Sequence, residues 1–224
     1  MTEQLGTVAI IGGTGHLGLA IAGRLVRRGV AVVIGSRDAG KAHEAAVGLD
    51  PDHSGKVTAA TNAEAASAAD LVVVAVPFAA QQATLEEIAP SVKGKIVVDT
   101  TVPLVPPKVM RVQLPPEGSA AVRAQALLGA DVRVVSAFHN VAAHQLARSG
   151  PVDCDVLVFG DDRSARQHVI GLVEACGLQG LHGGPLPNSA AAEALTSVLI
   201  FLNKTYSVDG AGLRLTGDFG PPPG

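Results

Sequence analysis

Gly13-Thr14-Gly15-His16-Leu17-Gly18 is the segment of this 224-residue chain whose residue types and spacing point most directly to chemistry. It fits G-x-G-x-x-G. Glycines at these three places permit a tight turn and let backbone N–H groups approach an anion at the positive end of a helix. A glycine-rich chain produces such strings by chance, so the context decides. The string follows the apolar run Val8–Ile11 and opens the helical stretch Leu19–Arg28. That is the strand–turn–helix setting in which the fingerprint holds a dinucleotide pyrophosphate, rather than a plain strand-to-helix turn.

The residues after the second strand select the dinucleotide. An NAD site wants Asp or Glu there, to accept hydrogen bonds from the ribose hydroxyls. This chain has Ser36-Arg37 instead, 18 residues after Gly18, with Lys41 four positions beyond Arg37. A hydroxyl, a guanidinium and an ammonium suit a 2′-phosphate, with Arg able to donate two bonds to one phosphate. Asp38 competes, but its place after Arg37 suits a cap on the next helix. NADP(H) is the expected cofactor. The alternative for Arg37 and Lys41 is an ordinary solvated surface.

Acid–base candidates are scarce. There is no G-x-S-x-G elbow, no H-E-x-x-H and no Cys/His metal spacing, so no metal site is expected. His139 and His144 stand five residues apart, a poor match to one helix face. His139 is placed at a strand's C-terminal edge, where it is a candidate catalytic acid or a structural or substrate-contacting histidine. The scarcity is informative, because hydride transfer between two bound cofactors needs alignment more than proton transfer.

Stepping from these residues to their supports, strands are expected at Thr7–Gly12, Ala31–Ser36, Val57–Thr61, Leu71–Val76, Lys95–Thr100, Arg133–Phe138 and Asp155–Gly160, with a weaker one at Leu178–Gly183. Helices are expected at Gly15–Arg28, Ala39–Leu49, Ala63–Ala69, Ala79–Ile88, Ser119–Leu128, Ser164–Cys176 and Ser189–Tyr206. The strand runs are apolar throughout, as for strands covered on both faces. Strand–helix alternation gives an α/β fold: a doubly wound, mostly parallel Rossmann-type sheet with a small C-terminal helical lobe. Val102–Gly118 carries five prolines and reads as a long loop where open α/β sheets bind ligands. The last 18 residues, Gly- and Pro-rich, read as a frayed tail.

Composition narrows the classes further. The net charge of −3 and the absence of a Lys/Arg run argue against nucleic-acid binding. The longest apolar stretch, Leu71 to Ala80, is about ten residues against the roughly 20 of a spanning helix, so no membrane role is expected. No signal peptide is legible at the N-terminus, and Cys154 and Cys176 have no CxxC spacing. A cytoplasmic protein with reduced thiols is the expectation.

The segments VAIIGGTGHLG (8–18), GSR with Lys41 (35–41), VPF (76–78), KIVVDTTVP (95–103), VVSAFHNVAAHQL (134–146), VFGDD (158–162) and GPLPNSAAAEALTSVLI (184–200) run along nearly the whole chain. Together they resemble the NADPH:coenzyme F420 oxidoreductases, which pass a hydride between a 5-deazaflavin and NADP. The resemblance implies that Gly13, Thr14, Gly15, His16, Leu17 and Gly18 wrap the pyrophosphate, and that Ser36, Arg37 and Lys41 hold the 2′-phosphate. It places Phe78 beside the NADP site and Val102 to Leu104 along the same cleft. It sets His139, Asn140, Val141, Ala142 and Ala143 against the deazaflavin ring, with Val141 behind it. Ala142 stands where the family more often has proline. Ordinary packing is the alternative for Val141.

The resemblance further implies residues 1–185 as the NADP-binding domain and 186–224 as a small lobe completing the deazaflavin pocket, in a homodimer with small-molecule cofactors as its partners. Two other functions compete. A reductase of a small carbonyl or imine usually carries a long helical C-terminal domain, and only about forty residues follow the last strand here. A non-catalytic NADP sensor needs none of the SAFHN or GPLPNS segments.

Overall fold

The structure is a computed structural model and describes residues 5–51 and 54–220. Among these, strands Val8–Ile11 (β1), Val32–Gly35 (β2), Val57–Ala60 (β3), Leu71–Val74 (β4), Ile96–Asp99 (β5), Arg133–Ser136 (β6), Asp155–Gly160 (β7) and Gln179–Gly184 (β8) form one sheet in the order β3-β2-β1-β4-β5-β6-β7-β8. The helices are His16–Arg27 (α1), Ala39–Leu49 (α2), Asn62–Ala68 (α3), Phe78–Ile88 (α4), Ala120–Leu128 (α5), Ala143–Ala147 (α6), Arg163–Ala175 (α7) and Ser189–Tyr206 (α8).

Successive strand side chains point to opposite faces, so an all-apolar strand feeds two cores. Val8, Ile10, Ile34, Leu71, Val73 and Val98 pack with Ile21 and Leu25 of α1, Ala42 of α2, Leu146 of α6 and Val169 and Leu172 of α7. Their neighbours Ala9, Ile11, Val33, Val72, Val74 and Val97 pack with Ala65 of α3, Leu85 and Ile88 of α4 and Ala121 and Ala124 of α5. The sheet is thus covered on both sides, as expected. The two edge strands depart from that pattern: β3 and β8 are only partly buried.

β1 to β6 run parallel, with Ile10 opposite Ile34 on one side and Val73 on the other. β7 is antiparallel to β6, and β8 parallel to β7. The reversal follows from what lies between β6 and β7. The only helix there is α6, and five residues of helix rise about 7.5 Å, too little to carry the chain back across the sheet. β7 therefore starts from the edge at which β6 ended.

The frayed tail is a correction. Asp155 opens β7, and its N–H donates to Leu213 O at 2.7 Å while its carboxylate accepts from Leu215 N at 2.7 Å. Arg214 Nη1 lies 3.0 Å from Asp153 and 3.7 Å from Asp155, and Ala211 N donates to Asn203 Oδ1 at 2.7 Å. These partners hold residues 211–215 along the start of β7. The terminal Pro221–Gly224 lie outside the described residues. No helix among the described residues is long and apolar enough to cross a membrane.

Candidate active site

The sheet order changes direction between β1 and β4. The carboxyl ends of the parallel strands β1, β2, β4, β5 and β6 lie along one edge of the sheet, the edge at which open α/β sheets form their ligand-binding cleft. With strands about 4.8 Å apart, β2 and β6 lie roughly 19 Å from each other across the sheet. That is room for an extended dinucleotide and a second ring system.

The β1 end is shaped by absent side chains. Gly12 has φ +75°, and a Cβ there would lie 2.7 Å from Ala75 O. A Cβ on Gly13 would meet Ile10 O at 2.7 Å, and one on Gly18 would meet Gly12 O at 2.8 Å and Gly13 Cα at 2.9 Å. Because these obstacles are backbone, neither residue tolerates even alanine without the turn opening. The close fit brings α1 directly onto the strand end. Gly15 caps α1 without a side-chain bond, and the first turn contains no carboxylate. Its leading N–H groups are left for an outside acceptor, with the helix dipole adding attraction for an anion. Thr14 and Leu17 are half-buried there, and Gly15 and His16 exposed.

The β2 end adjoins this turn, since the N–H groups of Gly12 and Gly13 both donate to Gly35 O at 3.1 Å. Ser36 is buried, and its Oγ accepts from Asp38 N at 3.2 Å. Asp38 caps α2 by accepting from Lys41 N at 3.1 Å, the role expected of it. Arg37 and Lys41 are exposed, and among the described residues their charged groups have no partner. The structure therefore brings Ser36, Arg37 and Lys41 to one corner beside the glycine turn.

At β4, Pro77 leads into α4 without a side-chain cap, and Phe78 is half-buried. The Arg123 guanidinium from α5 lies 5.3 Å over the Phe78 ring and donates to Gln82 Oε1 at 2.6 Å. The β5 end is polar and dry. Asp99 is fully buried, accepting from Gln81 Nε2 at 2.7 Å and Thr101 N at 3.1 Å. Burial pushes its carboxyl up to about 6 despite those donors. Leu104 follows in a tight turn, its N–H donating to Val102 O at 2.7 Å.

Beyond β6 the backbone turns sharply at Phe138, whose φ is +67°. That left-handed residue drives His139, Asn140 and Val141 inward, to 6, 6 and 9% exposure. His139 Nε2 lies 3.2 Å from Ser136 Oγ, and its buried Nδ1 has no partner. Burial lowers the imidazole to about 4, so it is neutral at pH 7. His144 lies apart, on α6, paired with Asp209 at 2.8 Å. Val141 packs into the core, and Ala142 and Ala143 are half-buried at the start of α6.

One helix gathers these ends. On α8, Ala192 O accepts from Asn140 Nδ2 at 2.9 Å, and Thr196 Oγ1 donates to His139 O at 2.9 Å. Ser197 Oγ donates to Arg111 O at 3.3 Å, fixing the proline-rich loop. Glu193, 1% exposed, accepts from Ala120 N at 2.7 Å and Ala121 N at 3.2 Å, so its carboxylate closes the N-terminus of α5. Burial, with a smaller contribution from Asp99, pushes Glu193 up to about 7. Sequence reasoning does not single out Glu193, Thr196, Gln81 or Arg123. Each lies on a helix whose local pattern says nothing of a partner far along the chain.

Residues 7–103 match the family described as NADP oxidoreductase coenzyme F420-dependent. The F420-dependent NADP reductase of Methanothermobacter marburgensis is 40% identical over 218 residues, covering 93% of this chain and 97% of its own. That of Methanothermobacter thermautotrophicus is 42% identical over 221 residues, covering 93% and 94%. Among solved structures, a putative F420-dependent NADP-reductase from Arthrobacter sp. FB24 superposes with a TM-score of 0.81 at 27% identity, covering 95% of this chain and all of that one.

Proposed function

The chain belongs to the family of coenzyme F420-dependent NADP reductases, and from that premise we propose that it transfers a hydride reversibly between NADP(H) and coenzyme F420 within the cleft just described. The observation that carries the reading is the pairing of an α1 N-terminus that has no side-chain cap and no carboxylate in its first turn with Arg37 and Lys41 next to it, whose charged groups have no partner among the described residues. Both features suit the phosphates of NADP.

The two coenzymes supply the redox chemistry, a hydride passing between C4 of the nicotinamide and C5 of the deazaflavin. The residues bind, orient and exclude water. Backbone N–H groups of Thr14, His16 and Leu17 bind the pyrophosphate, Gly15 lines it while its own N–H donates to Gly12 O at 3.0 Å, and Gly13 and Gly18 permit its approach. Ser36, Arg37 and Lys41 bind the 2′-phosphate. Phe78, held by Arg123, and Leu104 bound the nicotinamide side. His139, Asn140, Val141 and Ala143 back the deazaflavin, with Val141 as a small aliphatic wall that lets two rings lie close. His139 acts through shape and hydrogen bonding, because a buried neutral imidazole with a depressed pKa is a poor proton donor at pH 7.

In this reading residues 1–185 bind NADP, and residues 186–224 complete the deazaflavin pocket through α8. A homodimer is supported by the outer stripe of α8. There Val198 and Phe201 are exposed and Leu195 and Leu202 half-buried, at helical spacing. The two buried, unpaired cysteines are consistent with a cytoplasmic setting.

The experiment is the loss of F420 absorbance on mixing the protein with NADPH, with NADH and FMN in parallel. Fast bleaching with NADPH and F420 alone supports the reading. Tight NADPH binding without bleaching contradicts it and favours a small carbonyl or imine substrate, or a sensing role.

A further inference from the structure

The loop that leaves β5 carries two more cations without partners. Lys108 and Arg111 are exposed, and among the described residues neither side chain makes a hydrogen bond or ion pair. Their relative placement is fixed all the same. Lys108 N donates to Val105 O and Arg111 N to Lys108 O, each at 3.1 Å, so the second of two successive turns brings the Cα atoms of Lys108 and Arg111 within about 7 Å of each other. Gln113 Nε2 braces both turns, lying 3.4 Å from Val105 O and 3.2 Å from Lys108 O. Arg111 O accepts from Ser197 on α8, whose neighbour Thr196 holds the His139 carbonyl. Adjacent residues of α8 therefore tie the main chain of Arg111 and that of the loop assigned above to the deazaflavin ring. β5, from which the Lys108–Arg111 loop leaves, is three strands along the sheet from β2, which leads to Arg37 and Lys41. Glu117 is the one carboxylate between Val102 and Gly118.

We propose that Lys108 and Arg111 form an anion subsite that receives the phosphate and glutamate tail of the deazaflavin coenzyme. The inference rests on the hydride-transfer reading and extends it from the ring to the tail. Two flexible cations on a braced turn suit a polyanion of variable length better than a single fixed phosphate. Guanidinium supplies paired donors, and ammonium a point charge. Contacts of this exposed kind are screened by salt, which makes them recognisable in solution.

The test compares F420 with the same deazaflavin lacking phosphate and glutamates, using NADPH as donor. In the Lys108→Ala/Arg111→Ala variant, KM for F420 should rise about tenfold, the order expected when two exposed charge contacts are lost. KM for the tail-less deazaflavin and for NADPH should be unchanged, and kcat nearly so. The exchange Lys108→Arg/Arg111→Lys should restore most of the affinity. Added salt should raise KM for F420 in the unmodified protein and much less in the alanine variant. Equal changes for tailed and tail-less deazaflavins would show a structural role and overturn the proposal, as would no change for either. Failure of the unmodified protein to turn over either deazaflavin would overturn the hydride-transfer reading, and this inference with it.

Discussion

The two ends of the cleft are built by opposite means. At β1 and β2 the shape comes from missing side chains: Gly12, Gly13 and Gly18 let backbone touch backbone, and the groups presented are main-chain N–H and the cations of Arg37 and Lys41, which have no partner among the described residues. At β5 and β6 it comes from buried polar side chains: Asp99, Gln81, His139, Asn140 and Glu193 are all inside and mostly satisfied by one another or by main chain. The first construction presents the same backbone surface to any pyrophosphate. The second depends on buried side chains that each tie one element to another, Gln81 to Asp99 and to the α5 main chain, Glu193 to the α5 N-terminus and Asn140 to α8, so it is specific to one arrangement and vulnerable to single losses. In the function proposed above, a common dinucleotide grip and a particular ring pocket call for these two strategies.

The comparison predicts that damage stays at its own end. The largest effect is expected from Glu193→Ala, which strands two buried N–H groups at the α5 N-terminus. Chemical denaturation should show a loss of about 3 kcal/mol, and KM for F420 should rise while that for NADPH holds. Glu193→Gln keeps one acceptor and sharpens the point through pH. Burial holds the folded Glu193 carboxyl at about 7, above the 4.5 of a solvated glutamate. Its stabilising contribution is therefore complete below 4.5 and lost as pH rises through 7. Stability of the Gln variant should fall less than that of the parent between pH 5 and 8.

Next in size is Gly18→Ala, whose Cβ would meet backbone atoms that cannot rotate away. A loss of about 2 kcal/mol is expected, with NADPH binding weakened and the deazaflavin KM unaffected. Arg37→Asp should weaken NADPH binding about tenfold or more while leaving NADH binding almost unchanged, measured by titration. Equal loss for both would remove the 2′-phosphate assignment. The smallest effect belongs to Val141→Ala, about 1 kcal/mol of stability from the shortened side chain. It should alter deazaflavin turnover with NADPH affinity intact, and a variant that changes only stability would leave Val141 with its packing role alone.

The glycine end is legible in the sequence because its determinants are local. Gly13, Gly15 and Gly18 sit in one hexapeptide, Ser36 and Arg37 follow the next apolar run, and Asp38 announces its capping role three residues ahead of Lys41. The strands are legible for the same reason, each being a short apolar run between turns. The other end is built from distant pairs. Glu193 meets Ala120 across 73 residues, and Thr196 meets His139 across 57. Within an Ala-rich helix neither residue carries a signal that names its partner. The reversal of β7 and the seating of residues 211–215 are likewise set by what α6 is too short to do, and by the N–H and carboxylate of Asp155, which Leu213 O and Leu215 N satisfy.

The central claim is that the two ends hold their cofactors face to face, so that hydride passes directly between them. It is tested most directly with two NADPH samples, each carrying deuterium on a different face of C4, and F420 in ordinary water, followed by mass and NMR analysis of the reduced deazaflavin. Direct transfer predicts that deuterium from one of the two labelled faces arrives at C5 without dilution. Label found in the solvent, or equal transfer from both faces, would contradict the account.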